Sequence, residues 1–169
     1  MSTDACNQSR LPGPCAIVVS RYNDTITSVM LDGAVNAYTD AGGSPDSLAV
    51  LEAPGAFELV SIASVLAGSG MYESVVCLGC VIKGETSHDV HISSAVANGC
   101  AEISIKTGVP VAFGVLTTNT IEQAIERAVL GAAGAIAAIH KAKDTKTPGF
   151  RYAPGFEVPD KASAASEGL

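Results

Sequence analysis

Ser74-Val-Val-Cys-Leu-Gly-Cys-Val-Ile-Lys-Gly-Glu-Thr-Ser-His88 changes character in its middle. Its first half is a continuous apolar run of strand length, and its second half is polar and holds a glycine. A strand buried on one face alternates apolar with polar residues, whereas one covered on both faces is apolar throughout. Val75 to Ile82 therefore predicts a strand in the interior of a covered sheet. Lys83 to Ser87 predicts a turn into a helix that starts near His88 and ends near Lys106.

The same alternation of element types extends outward in both directions. Upstream, Cys15-Ala-Ile-Val-Val-Ser20 reads as another strand buried on both faces. A helix follows over Asp24–Ala41, with Val29, Leu31, Ala34, Val35 and Tyr38 mostly on one side, and Gly42-Gly43 stops it. Leu48-Ala-Val-Leu51 is a further strand, punctuated by Pro54-Gly55, and Ala56–Ala67 is the next helix. Downstream, Gly108-Val-Pro110 leads into a strand over Val111–Leu116. Thr117-Thr118-Asn119 then offers an N-cap to a last helix over 120–143. The order βαβαβαβα with apolar strands implies an open parallel sheet of four strands with helices on both faces. One domain is expected over 15–144, preceded by a polar, mobile arm over 1–14 and followed by a tail over 145–169 with little structure of its own.

Composition narrows the partners. Hydrophobic residues make up 47% of the 169 and charged residues only 16%, so part of the surface is expected to be covered by further subunits. The net charge of −7, with no basic block, argues against nucleic acid and anionic membrane, but a few placed cations still allow an anionic substrate. No apolar stretch reaches membrane-spanning length without a charge or turn. The five cysteines are Cys6, Cys15, Cys77, Cys80 and Cys100. Cys77 and Cys80 are three apart on a strand and would face opposite sides, so buried free thiols fit better than a redox or zinc pair. An odd count with no signal peptide points to a reducing, cytoplasmic setting.

In open α/β sheets ligands bind beyond the carboxyl ends of the strands. Three segments fall there: Arg21-Tyr22-Asn23-Asp24, Glu52-Ala-Pro-Gly-Ala-Phe-Glu58 and Ile82-Lys-Gly-Glu-Thr-Ser-His88. A glycine-containing turn that opens a helix leaves backbone N–H groups free and forms an anion site, with Thr86 or Ser87 as cap or ligand; an ordinary capped helix start has the same pattern. His88 is suited to proton transfer near neutral pH, or serves the fold. Pro54-Gly55 lets a ligand approach the backbone. Glu58, in the first turn of the next helix, either complements the helix dipole or binds ligand. Tyr22 either stacks on a planar ring or packs. Arg127 reads as a surface arginine, and Lys83 at the strand end as one facing solvent. There is no P-loop, G-x-G-x-x-G fingerprint or G-x-S-x-G elbow. His88 and His91 share a helical face, but no third ligand stands near them for zinc, so no metal is expected.

Arg21-Tyr-Asn-Asp24, Ala53-Pro-Gly-Ala-Phe-Glu-Leu59, Leu78-Gly-Cys-Val-Ile-Lys-Gly-Glu-Thr-Ser-His88, Pro110-Val-Ala-Phe-Gly-Val-Leu-Thr117 and Asn119-Thr-Ile-Glu-Gln-Ala-Ile-Glu-Arg-Ala128 resemble, in order and spacing, the signature segments of the 6,7-dimethyl-8-ribityllumazine synthase family. The resemblance covers about residues 15–142 and implies a flavodoxin-like three-layer α/β/α sandwich. It also implies condensation of 5-amino-6-ribitylaminouracil with 3,4-dihydroxy-2-butanone 4-phosphate, without cofactor or metal, in a homopentamer or a larger shell. On that basis Tyr22, at a position where the family more often has Phe, would stack on the pyrimidinedione. Asn23, Ala56 and Phe57 would line the pocket, Glu58 would hold ribityl hydroxyls, and Val81 and Ile82 would flank the ring. The amides of Glu85 and Thr86 would hold phosphate and His88 would move protons. Phe113 and Arg127 would come from the neighbouring subunit, Arg127 to the phosphate.

Two segments depart from the family pattern. Asp89-Val90-His91 stands where the family usually has an aromatic and then an acid, and Ala128-Val-Leu-Gly-Ala-Ala-Gly134 is short and lacks the usual lysine. The alternatives are a family member with a drifted phosphate site that binds flavin or lumazine, or serves assembly, with little turnover, and a flavodoxin-like binding module without catalysis.

Overall fold

The structure, a computed structural model, describes residues 12–128. Most of the expected arm, residues 129–143 of the expected last helix, and the tail over 145–169 lie outside the described residues.

Four strands, β1 (Cys15–Ser20), β2 (Leu48–Ala53), β3 (Ser74–Ile82) and β4 (Val111–Thr118), form one sheet in the order β2-β1-β3-β4. All the pairings are parallel. Between them run helices α1 (Asp24–Asp40), α2 (Leu59–Gly68) and α3 (His88–Thr107), and a helix α4 occupies 121–128 at the end of the described chain. This is the open parallel sheet that the strand pattern implies, in the flavodoxin-like sandwich that the family resemblance implies.

Successive strand residues point to opposite faces, and that period sorts the core into two halves. Cys15, Ile17 and Val19 of β1 join Val76, Leu78 and Cys80 of β3 under α1 and α4, where Ile26, Met30, Ala34, Tyr38, Ala124 and Ala128 meet them. Ala16 and Val18 join Val75 and Cys77 on the other side, under Leu59, Ala63 and Leu66 of α2 and Val96, Cys100 and Ile103 of α3. All six residues of β1 are buried. Fully burying a Val, Leu or Ile side chain contributes about 1.5–3 kcal/mol, so the apolar run of each central strand stabilises both layers at once. Cys77 and Cys80 do fall on opposite faces, and the cysteines among the described residues are buried thiols outside any disulfide.

Several boundaries differ from the sequence expectation, and each has a local cause. β2 runs on to Ala53, because Ser20 of β1 continues the ladder against it. β4 runs on to Thr118, paired with Ile82. α2 starts at Leu59 and not at Ala56, because Ala56 is buried at the sheet end and the chain turns there, with the Leu59 N–H donating to the Ala56 carbonyl. Glu58 is therefore the residue before α2, outside its first turn. Val29 is exposed, one step off the buried line Ile26–Met30–Ala34–Tyr38. The cap of α4 comes from Thr120, not from residues 117–119: its Oγ1 accepts the Gln123 N–H at 3.4 Å, and Gln123 Oε1 accepts the Asn119 N–H at 3.0 Å. Gly13 and Pro14, expected in the arm, are held in place. Their carbonyls accept from the Tyr38 hydroxyl at 2.9 Å and the Glu73 N–H at 2.8 Å.

α2 and α3 cross closely at Gly99, where a Cβ would stand 2.6 Å from Cγ1 of Val60 and 2.9 Å from its Cγ2. Val60 is β-branched and stiff at χ1, so it cannot swing away freely. Gly99→Ala should cost about 1–3 kcal/mol of stability through overpacking, seen as a lower midpoint in denaturant. An unchanged midpoint would show that the two helices separate freely.

Candidate active site

The central strands β1 and β3 end side by side, and the chain departs from them in different directions. β1 leads to an edge strand on one side, and β3 to the edge strand on the other. Such a switch point opens a crevice at the carboxyl ends. Here it is a cleft of about 1030 Å³.

The first wall is set by the turn after β1. Asn23 is the one non-glycine residue with positive φ among the described residues, at φ 61° and ψ 46°. Asparagine tolerates this region better than most side chains. Its carbonyl starts α1 by accepting the Ile26 and Thr27 N–H groups. Its side chain does not cap that helix. Nδ2 instead donates to the Cys80 carbonyl at 3.0 Å, beyond the last β1–β3 pair, Val19 with Leu78. The Thr27 hydroxyl donates to the Ser20 carbonyl at 2.8 Å and closes the end of β1. Tyr22, 70% exposed, follows this turn on the wall of the cleft, which Phe57, 59% exposed, also lines.

Cys80, Val81 and Ile82 at the end of β3 supply the apolar part of the lining, together with Ala56. Burial pushes the Cys80 thiol above its ordinary range, so it stays protonated near neutral pH and is a poor nucleophile. The Cys77 thiol, hydrogen-bonded to Cys100 and buried deeper, is pushed up further.

Beyond Ile82 the chain leaves the sheet. The Lys83 N–H still extends the β4 pairing, donating to the Thr118 carbonyl at 2.8 Å. The N–H groups of Gly84, Glu85 and Thr86 donate to no group among the described residues. The Thr86 hydroxyl accepts the His88 N–H at 3.4 Å, while Ser87, at the N-cap position, makes no side-chain cap. Free amides and the positive end of α3 together suit an anion. His88, His91, Ile92 and Ala95, at positions i, i+3, i+4 and i+7, form the stripe of α3 that faces the cleft.

Tyr22, Asn23, Ala56, Phe57, Glu58, Val81, Ile82, Thr86 and His88 line one cleft. Glu85 stands in the same turn without lining it. Phe113, on edge strand β4, and Arg127, exposed on α4, do not line it. Sequence reasoning noted Asp89 as a departure from the family pattern and His91 as half of a rejected zinc pair, and it passed over Ile92 and Ala95, although the helical spacing from His88 marks His91, Ile92 and Ala95 together. Lys83, read as facing solvent, is exposed but stands on the cleft wall. Among the described residues no three His, Cys, Asp or Glu side chains converge as metal ligands.

The family model described as 6,7-dimethyl-8-ribityllumazine synthase matches residues 14–146. A protein of Syntrophus aciditrophicus (strain SB) named 6,7-dimethyl-8-ribityllumazine synthase is 54% identical over 112 residues, which cover 66% of this chain and 73% of that one. The turn after β1, the Pro54–Glu58 segment and the Lys83–His88 turn all lie within the matched span, and the chain belongs to the 6,7-dimethyl-8-ribityllumazine synthase family.

Proposed function

We propose that the cleft condenses 5-amino-6-ribitylaminouracil with 3,4-dihydroxy-2-butanone 4-phosphate, yielding 6,7-dimethyl-8-ribityllumazine, phosphate and water. The observation that carries this reading is the meeting, in one cleft of a member of this family, of an aromatic mouth, an apolar lining, unpaired backbone amides and a histidine. A flat pyrimidinedione fits between Tyr22 or Phe57 and the apolar lining of Val81 and Ile82. We assign Glu58, which lines the cleft, to ribityl hydroxyls, and the unpaired amides of Glu85 and Thr86 to phosphate oxygens.

The chemistry needs protons moved at each stage. The pyrimidine 5-amine adds to the butanone carbonyl, and water leaves as the imine forms. Phosphate then departs with its C–O bonding electrons. Loss of the proton on the adjacent carbinol carbon accompanies that departure, and the resulting enol tautomerises to a new ketone beside a methyl group. The ribityl-bearing nitrogen closes the ring on this ketone, with loss of a second water. His88, exposed at the cleft, is our assignment for this proton traffic, because an imidazole can both take and give a proton.

We further propose a homo-oligomer, a pentamer or a larger shell built from pentamers, in which Phe113 and Arg127 of one subunit complete the cleft of the next. Exposed apolar side chains such as Ile105 (83%), Val65 and Ile125 support a covered surface. Among the described residues no helix is long and apolar enough to cross a membrane, and cysteines that form no disulfide suit the cytoplasm, where we place the activity.

Mixing both substrates with the protein should give the product's fluorescence well above the uncatalysed background. Absence of any increase would leave the binding or assembly alternative. His88→Ala should fold and assemble as the parent does but turn over about 10²–10⁴-fold more slowly; an unchanged rate would remove His88 from proton transfer.

Sedimentation at micromolar concentration should give a pentamer or a larger closed assembly, and a clean monomer would contradict the shared site. In the assembled protein Arg127→Ala should weaken a phosphate-bearing ligand by roughly ten- to a hundredfold, the loss of one charge-assisted contact. The ribityl pyrimidine should bind nearly as before. Equal loss for both ligands would instead make Arg127 an interface residue.

A further inference from the structure

Gly55 stands on the wall of the cleft, in the turn between β2 and α2. Glycine loses more chain freedom on folding than any other residue, so its place usually has a reason in the fold: a left-handed backbone, or a neighbour packed where a Cβ would stand. Gly108, at φ 70°, has the first reason, and Gly99 against Val60 has the second. Gly55 has neither. Its φ lies outside the left-handed region, and beyond its chain neighbours a Cβ there would meet one atom within 4 Å among the described residues, Oε2 of Glu58 at 3.0 Å. That is shorter than the roughly 3.3–3.6 Å of even an attractive C–H···O contact. The Glu58 carboxylate therefore occupies the side of Gly55 that any other residue would fill.

The backbone of Glu58 is fixed. Its carbonyl accepts the Ile62 N–H at 3.3 Å and the Ser61 hydroxyl at 2.9 Å, and Leu59 next to it is fully buried. The carboxylate has no such hold. It is exposed on the cleft, and no donor among the described residues bonds or pairs with it. Its place is therefore set by the room around it.

We propose that Gly55 is a positioning residue of the cleft: its missing Cβ lets Glu58 fold its carboxylate back against the backbone, where it accepts hydrogen bonds from the hydroxyls of the ribityl chain. This rests on the reading of the cleft as the lumazine-forming site, with Glu58 as the acceptor. An ionised carboxylate is an acceptor only, and its two oxygens can take neighbouring hydroxyls once its place is set. Gly55→Ala would keep the turn and the charge but push the carboxylate away from the backbone. A glutamate side chain is flexible enough to move, so the fold bears little of the cost and ligand binding bears it instead.

The test is a double-mutant cycle on the assembled protein with Gly55→Ala, Glu58→Ala and both together. The probes are a 5-nitro analogue of the ribityl pyrimidine, which lacks the nucleophilic amine, and inorganic phosphate. Each single variant should weaken the analogue roughly tenfold or more, the loss of hydrogen bonds to a charged acceptor. The double variant should bind it no more weakly than Glu58→Ala, because without the carboxylate the added methyl has nothing to displace. Phosphate should bind every variant as it binds the parent. Gly55→Ala should melt no lower, since alanine has less chain entropy to lose on folding. Undiminished affinity of either single variant for the analogue would overturn the proposal. So would a further loss when Gly55→Ala is added to Glu58→Ala, which would mean that the ligand itself fills the space beside Gly55. A lowered melting midpoint of Gly55→Ala, or equal loss of both ligands, would overturn it in favour of a structural role. In each of these cases a parent that binds the analogue and turns over leaves the proposed function intact. A parent that binds neither probe would remove the functional reading and this proposal together.

Discussion

β1 and β3 pair in parallel from Cys15 against Ser74 to Val19 against Leu78, and nearly everything else depends on that pairing. Each of the two strands is buried on both faces, so one ladder of hydrogen bonds holds the apolar surface of both helix layers in register. Slipping it by one residue would exchange Ile17 and Val18 between the two cores and misplace every contact of α1 and α2. The strands are also unequal in length beyond the shared ladder. β3 continues to Ile82 after β1 has ended at Ser20, and the Asn23 side chain supplies the donor that the missing rung would have given to Cys80. The site is built on this mismatch, because a strand that outruns its neighbour leaves a step, and the step is one wall of the cleft.

Departures from ordinary folding rules gather around that step. The left-handed backbone of Asn23, the exposed rings of Tyr22 and Phe57, the unpaired amides after Lys83 and the sequestered oxygen of Asp89 all border the cleft. Elsewhere the two cores are uniform: small and branched apolar side chains on strands, with one stripe of each helix against them. Local conflict concentrated at one place in an otherwise consistent chain marks a functional site more surely than any one of its residues does.

The cleft also explains why so few charges serve an acidic chain with an anionic substrate. Lys83 is the one lysine or arginine on its wall among the described residues. Backbone amides at a helix start do not add formal charge, but they are fixed in direction and are not lost to solvent as a flexible side chain can be. Part of the anion's recognition can thus be built from the turn itself.

How much of this could be read before folding follows from what kind of information each feature carries. The layered α/β architecture, the central places of the Cys15–Ser20 and Val75–Ile82 runs, and the three segments at the carboxyl ends were legible, because periodicity of apolar residues and position at a strand end are local properties. Resemblance of those segments to a family then supplied the activity. Boundaries were less legible. The last residues of β2 and β4 are strand only because Ser20 and Ile82 pair with them, and α2 begins late because Ala56 is needed in the core. Asp89 and Lys83 on the cleft wall, and the reach of Asn23 to Cys80 across 57 positions of sequence, were not legible at all. Each depends on the angle at which one element meets another, and that angle is set by side chains packing between elements far apart in the chain, which no single stretch of sequence contains.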